Sequence, residues 1–402
     1  MRKLFIVGLA LILGLALATG AFAADTIKLA VMEPLSGNFK DIGDRYAEGV
    51  KFAAEVINAK GGINGKKLEV IPVDSELNPA VATRKATKLI LQDGVKHFCG
   101  GTGSSVAGAM EALSDKHNTL FFTYGMEAAS LTGDKCNRNF FRTCANTDMH
   151  SFALAAWVAK QGFKKVFCIA QDYSFGKEAT AAFIKKLKEL NPQVEIVGEV
   201  LHPLGTKDFA PYVSQIISSG AELVFTSNWG NDLTLLIKQA KPLGLKAKFA
   251  GYYMNDDLMV KAVADDEAVI GSVGAEIYML SIPGQANESF IEGFTKANGF
   301  YPTWLRGKAY AATMFWAEAV KKAGSDKVDN VIKAWEGLTY DGPAGKWTMR
   351  ACDHQAQQPV WIAEIVAKNP YFKHAYVGPA TMVPADAISV PCQDTGCKGF
   401  KK

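Results

Sequence analysis

The sequence predicts an α/β protein of two lobes, each built on a mainly parallel sheet. Short β-rich runs alternate with longer helical ones along most of the chain, which implies βαβ units. These runs are too numerous for one open sheet, and 402 residues exceed what a single hydrophobic core usually organises. No long Pro/Gly/Ser linker separates the halves, so several short crossovers are expected between them. A hydrophobic content of 49% is enough to fill two interiors.

The chain begins with Arg2 and Lys3, continues as an apolar run from Leu4 to Ala18, and closes on Ala21-Phe22-Ala23. That order is a secretory signal peptide, so residues 1–23 are expected to be removed and the mature chain to work in the periplasm. The run is shorter than the ~20 residues that span a bilayer, and no cysteine follows it to carry a lipid.

From Thr26 the strands and helices can be read in turn. TIKLAVM is a strand. Asp44 to Ala59 places Val50, Ala53, Ala54 and Ile57 on one helical face, and Gly61-Gly62 stops it. KLEVIPVD is the next strand, and Pro79 opens a helix through Leu91. KHFCGG, TLFFTY, KVFCIA, VEIVGEV, ELVFTS and KFAGYY each read as a strand, with helices between most of them. The alternation restarts after Cys144 to Thr147, which marks the break between lobes. From Pro384 the tail is polar and irregular.

Charge narrows the function classes. The formal net charge is +4 and falls towards balance once the signal peptide is gone. Lys and Arg are scattered, so no nucleic-acid footprint is present. Export permits disulfides. Cys136 and Cys144 flank a short turn, Cys392 and Cys397 lie together in the tail, and Cys352 could take either of these two. All five are disulfide candidates. Cys99 and Cys168 sit inside apolar runs as buried thiols, and an odd count leaves at least one cysteine unpaired within the chain.

Ligands of open α/β sheets bind outside the carboxyl ends of the strands, which gives a short list of loops. After KHFCGG, Ser104 and Ser105 can cap the next helix, whose first amides would face an anion such as a carboxylate. After TLFFTY come Gly125 and Glu127, the latter an acceptor for an amine or amide. Phe175, Trp229, Tyr252 and Tyr253 follow later strands, and aromatics in corresponding loops suggest a face that closes on a flat or apolar ligand. No catalytic constellation emerges. The six histidines show no metal-ligand spacing, and Asp353-His354-Gln355 has no nucleophile beside it in sequence. No metal, no cofactor and no enzymatic activity are expected.

Together IKLAVMEPLSGNFKDIGDRYAEGV, INAKGGINGKKLEVIPVDSE, GGTGSS, DYSFGKE, KDFAPYVSQI and WGNDLTLLIKQAKPLGL resemble the periplasmic binding proteins of branched-chain amino acid and amide transporters, up to about residue 370. The resemblance implies two Rossmann-like lobes with parallel-sheet cores and a three-crossover hinge, the type I fold. Lobe one would be 24–145 plus 277–352, lobe two 146–276 plus 353–383, and 384–402 a tail. It also implies capture of an amino acid or related small carboxylate or amide by lobe closure, for delivery to the membrane subunits of an ABC importer, by a monomer. In this family the ligand carboxylate meets the position of Ser104, the ammonium meets the positions of Gly125 and Glu127, and ring contacts come from Phe175 and Trp229. The chain departs from the leucine-binding pattern at Tyr253, which replaces an acid, at Glu127, which replaces a threonine, and at Ile42, which replaces a tyrosine. Glu127 could supply the charge lost at Tyr253. The rival readings are a ligand sensor for a receptor or kinase and a periplasmic hydrolase using Asp353-His354.

Overall fold

A computed structural model describes residues 26–263 and 269–400; the signal peptide expected at residues 1–23 lies outside them. Among the described residues no helix is long and apolar enough to cross a membrane.

The first lobe begins β1 (Thr26–Glu33), α1 (Lys40–Ala59), β2 (Lys67–Asp74), α2 (Pro79–Asp93), β3 (His97–Gly100), α3 (Ser104–His117), β4 (Leu120–Thr123) and β5 (Phe140–Arg142). Its five strands are all parallel, in the order β2-β1-β3-β4-β5. The second lobe continues α4 (Thr147–Val158), β6 (Lys165–Gln171), α5 (Ser174–Leu190), β7 (Glu195–His202), α6 (Ala210–Ser219), β8 (Leu223–Thr226), α7 (Gly230–Ala240), β9 (Lys248–Gly251), α8 (Asp257–Ala262) and β10 (Val273–Glu276). These five strands are again parallel neighbours, β7-β6-β8-β9-β10. The strands read as near-continuous apolar runs because both faces of such a sheet are covered by helices. Leu223–Thr226 is buried throughout.

The chain then returns. Helices α9 (Gln285–Asn298), α10 (Trp304–Ala323) and α11 (Val328–Trp335) cover the first lobe. Trp316 of α10 stacks on Phe122 at 5.8 Å between ring centroids and Trp335 of α11 on Phe141 at 4.5 Å, burying the large aromatics that the sequence spends here. A small antiparallel sheet follows, β11 (Thr339–Gly342), β12 (Gly345–Met349) and β13 (Ala356–Gln357). Then β14 (Val360–Val366) joins the second sheet antiparallel to β10, with β15 (Tyr376–Val377) and β16 (Thr381–Val383) beside it. The fold is therefore two Rossmann-like lobes joined by a three-crossover hinge. Because Ala356–Gln357 still pairs β12, the third crossover follows Gln357.

Local chemistry explains several of the boundaries. Asn78 caps α2 by accepting from Ala80 N at 2.9 Å, Pro79 opens the helix, and Gly94 ends it with φ +66°; this is the Asn–Pro…Gly asymmetry of helix ends. Asn146, at the first crossover, caps α4 through Met149 N at 2.9 Å.

The tail is more ordered than its composition suggests. It contains α12 (Ala385–Ile388), packed against α4. Disulfides join Cys136 to Cys397 and Cys352 to Cys392, fastening the tail to the first lobe, and the Phe400 ring lies 4.1 Å from that of His354. Cys144 is corrected as a bridge candidate: it is a free, buried thiol beside Cys99 and Cys168 in that respect, because its side chain enters the core at the first crossover, with Sγ 4.0 Å from Met126 O.

Candidate functional site

The strand-end loops of both lobes meet around a cavity with an empty volume of about 370 Å³, its mouth included. The first lobe supplies Ile42 and Tyr46 from α1, Gly101 to Ser104 after β3, Gly125 after β4, and Trp304 and Leu305 from α10. The second supplies Tyr173, Phe175, Trp229 and Tyr253. Of the residues expected from sequence, Ser104, Gly125, Phe175, Trp229 and Tyr253 line this space, whereas Ser105, Glu127 and Tyr252 do not.

Each exception has a structural cause. Ser105 is exposed, since one step along α3 from Ser104 turns its side chain about 100° away. The expected serine cap is also absent: Gly103 is the N-cap residue, with φ +88°, and no side chain caps α3. Tyr252 is fully buried; its hydroxyl bonds Ser151 Oγ at 2.6 Å and Thr147 O at 2.8 Å, so it braces α4 rather than the cleft. Glu127 lies behind the cavity wall and is described below.

Three helices without a side-chain cap have their N-cap residue on the cavity wall: α3 after Gly103, α5 after Tyr173 and α7 after Trp229. The open amides and partial positive charge of helix N-termini favour an anion there. Two lining hydroxyls are arranged to donate. Ser104 Oγ accepts from Ala128 N at 3.2 Å, and Tyr173 Oη accepts from Trp229 Nε1 at 2.9 Å, which leaves each hydroxyl hydrogen free for a ligand. Close approach is protected at Gly125, where an added Cβ would lie 2.6 Å from Gly101 O and against the Tyr46 hydroxyl.

Beneath this wall lie two buried acidic systems. Glu33 sits under the loop after β3: its Oε1 accepts from Gly101 N at 2.6 Å and Tyr124 Oη at 2.7 Å, and its Oε2 from Thr102 Oγ1 at 2.6 Å. Burial pushes its carboxyl up to about 8 despite these three donors. The second system is a four-membered charge cluster. Lys308 Nζ on α10 donates to Glu127 Oε1 at 2.9 Å and Glu276 Oε2 at 2.8 Å. His150 Nδ1 on α4 and the Tyr253 hydroxyl each lie 2.9 Å from Glu127 Oε2, and His150 Nε2 is 3.5 Å from Glu276 Oε1. Lys308, Glu127, Glu276 and His150 are all fully buried.

Burial alone would discharge this cluster, but its members hold one another charged. Lys308 and then His150 bring Glu127 down to about 2 against its burial. Glu127 and Glu276 raise His150 to about 9 and Lys308 well above its ordinary value. Glu127, His150 and Glu276 present ligand atoms within 4.8 Å of one another, a spacing that suits a metal ion, yet Lys308 already supplies the cation between the two carboxylates. The cluster was not anticipated from sequence: His150, Glu276 and Lys308 come from three separate segments, and only Glu127 stood in a strand-end loop. Tyr46, Thr102, Tyr173, Trp304 and Leu305 were likewise missed as cleft residues.

These shifts set a pH profile. His150 is protonated in the fold up to about 9 but only to ~6.5 when unfolded, so its contribution is complete below ~6.5 and is lost as pH rises through about 9. Glu33 keeps its proton to about 8 in the fold, while the unfolded chain releases it near ~4.3, eroding stability across that interval. Glu127 acts oppositely, contributing above ~4.3 and failing as pH falls to about 2. Thermal unfolding from pH 4 to 9 should therefore peak near ~4.5, decline from there as Glu33 loses its advantage, fall more steeply above ~6.5, and be lower by roughly 5 °C or more at pH 9. His150→Gln should flatten the alkaline limb; an unchanged limb would show that His150 is neutral in the fold.

Asp353 and His354 take structural roles. Asp353 pairs with Arg350, its Oδ1 2.9 Å from Nε. His354 Nε2 is 3.0 Å from Glu336 Oε1, and its ring stacks on Phe141 at 3.9 Å. Neither lines the cavity.

Comparison with known proteins places the geometry in context. The sequence profile of the periplasmic binding protein family matches residues 26–370. The Leu/Ile/Val-binding protein homolog 4 of Brucella abortus is 32% identical over 378 residues, covering 89% of this chain and 88% of the relative. The leucine-, isoleucine-, valine-, threonine- and alanine-binding protein of Pseudomonas aeruginosa is 28% identical, covering 82% and 87%. Among solved structures, the protein of that same description from Brucella ovis, in its closed conformation, superposes with a TM-score of 0.83 at 28% identity, covering 92% of this chain and 98% of that one.

Proposed function

Because the chain belongs to the periplasmic binding protein family, we propose that it works in the periplasm as the solute-binding protein of an ABC importer, capturing a small carboxylate by lobe closure and presenting the closed form to the membrane subunits. Its lobes are 24–145 plus 277–357, and 146–276 plus 358–383. The observation that carries the reading is the cavity itself, whose walls come from both of the lobes that share a hinge, nine residues from the first and four from the second.

The acid end of the ligand meets Ser104 and the open N-terminus of α3, while Phe175, Trp229 and Tyr253 close on its body. Contacts made in only one conformation pull the equilibrium to that conformation. Arg45 supports this role. Nearly buried on α1, it reaches Asp256 at 3.4 Å and Asp257 at 3.1 Å on the second lobe. Phe39 of the first lobe packs on Trp229 at 4.8 Å.

A thermal-shift screen of carboxylates, amides and amino acids, followed by small-angle scattering, tests the proposal. A bound solute at about 100 times its Kd should stabilise the protein by about 2.7 kcal/mol and compact the scattering envelope. A saturating, stabilising solute that leaves the envelope unchanged overturns closure.

A further inference from the structure

Solute binding leaves open what chemistry the cleft accepts, and the buried charge cluster speaks to that. Resting on the solute-binding reading, we propose that Lys308 is the specificity-determining residue of the cleft: its ammonium fills the anionic site made by Glu127 and Glu276, so the cleft takes carboxylic acids without an amino group and rejects α-amino acids.

The argument starts from what the cavity wall offers. Among the described residues, no acidic side chain lines it. The two carboxylates that wall residues bond are spoken for: Glu33 by Gly101, Thr102 and Tyr124, and Glu127 by Lys308, His150 and Tyr253. Farther round, Asp256 and Asp257 face Arg45. A ligand ammonium would therefore find no acidic side chain on the wall to pair with, and an uncompensated buried charge is strongly disfavoured.

The cluster is also balanced. Two carboxylates face one ammonium and one imidazolium, so a second ammonium would leave the site with net positive charge. Lys308 Nζ lies 5.8 Å from the ring of Tyr253 and 5.3 Å from that of Trp304. Both rings are cavity walls, so the cation that such rings attract already sits inside the protein.

The remaining polar groups point the same way. Ser104 and Tyr173 hold hydroxyl hydrogens ready to donate, and three helix N-termini border the space. Donors and positive partial charge suit a carboxylate and repel an ammonium. The rings of Phe175, Trp229, Tyr253 and Trp304 suit a flat or branched apolar body. The ligand class is thus an arene- or alkane-carboxylic acid.

Matched pairs test the proposal by calorimetric titration: phenylacetate against phenylglycine, and 4-methylpentanoate against leucine. In wild-type protein the amine-free acid should bind at least about tenfold tighter. Lys308→Met should shift that preference towards the amino acid by about tenfold, and Lys308→Arg, which keeps the cation, should leave it unchanged. Tighter binding of the amino acid by the wild type overturns the proposal while leaving the solute-binding reading intact. So does binding of some other solute with neither member of either pair bound. An unaltered preference in a folded Lys308→Met protein also overturns it. If no solute in a broad screen stabilises or compacts the protein, the solute-binding reading falls as well.

Discussion

Lys308→Met is expected to lower the unfolding free energy by about 3–5 kcal/mol, the usual cost of removing one partner from a buried ion pair. Methionine matches most of the lysine stem, so little packing is lost and the penalty is electrostatic. Without Nζ, Glu127 and Glu276 face each other with only His150 to offset them. The carboxylates would then take up a proton more readily, and the deficit should shrink as pH falls from 8 to 5. Denaturant unfolding at the two pH values measures it. An equal deficit at both would mean that Lys308 contributes through packing rather than charge.

Trp229→Ala is expected to weaken solute binding by roughly 30- to 1000-fold, in the range of an aromatic hot spot of about 2–4 kcal/mol, with the ligand-free protein still folded. Trp229 packs on Phe39 across the lobes, donates to the Tyr173 hydroxyl at 2.9 Å and forms part of the cavity wall. Truncation removes a wall, an interlobe contact and the partner that orients Tyr173. Calorimetric titration with a solute found by screening, together with the melting temperature of the empty protein, separates these effects from unfolding. Affinity within threefold of wild type would remove Trp229 from the closing face.

Much of this was legible in the sequence because parallel α/β lobes have a local grammar. Val50, Ala53, Ala54 and Ile57 marked the buried face of α1, and Pro79 marked the start of α2, which runs two residues beyond the expected Leu91 to Asp93. Strand-end loops located Ser104, Gly125, Phe175, Trp229 and Tyr253 because such loops border the cleft whenever the fold holds. Side-chain direction within a loop was less legible. Ser105 and Tyr252 are neighbours of cleft residues that leave the backbone on another side, a distinction set by one step of local geometry. Tyr46 reads as one more buried position on α1, and Trp304 belongs to a helix far along the chain from the loops it faces. Least visible was the charge cluster. Nothing in WLRGKAYAATMFW distinguishes Lys308 from a solvated helical lysine, and Glu276 ends an ordinary strand. Their meaning exists only once the hinge brings β10, α10 and α4 together.

The tail adds a mechanical consequence. It leaves the second sheet at β16, passes α4, and is riveted to the first lobe at Cys352 and Cys136. The lobes are thus joined by a fourth strand of backbone in addition to the three of the hinge, and this one is anchored covalently. The link between them is short, running from Val383 at the end of β16 through α12 to Cys392. The two lobes are therefore held together by sulfur–sulfur bonds as well as by the hinge, so that cutting those bonds would leave the three crossovers as the link between them.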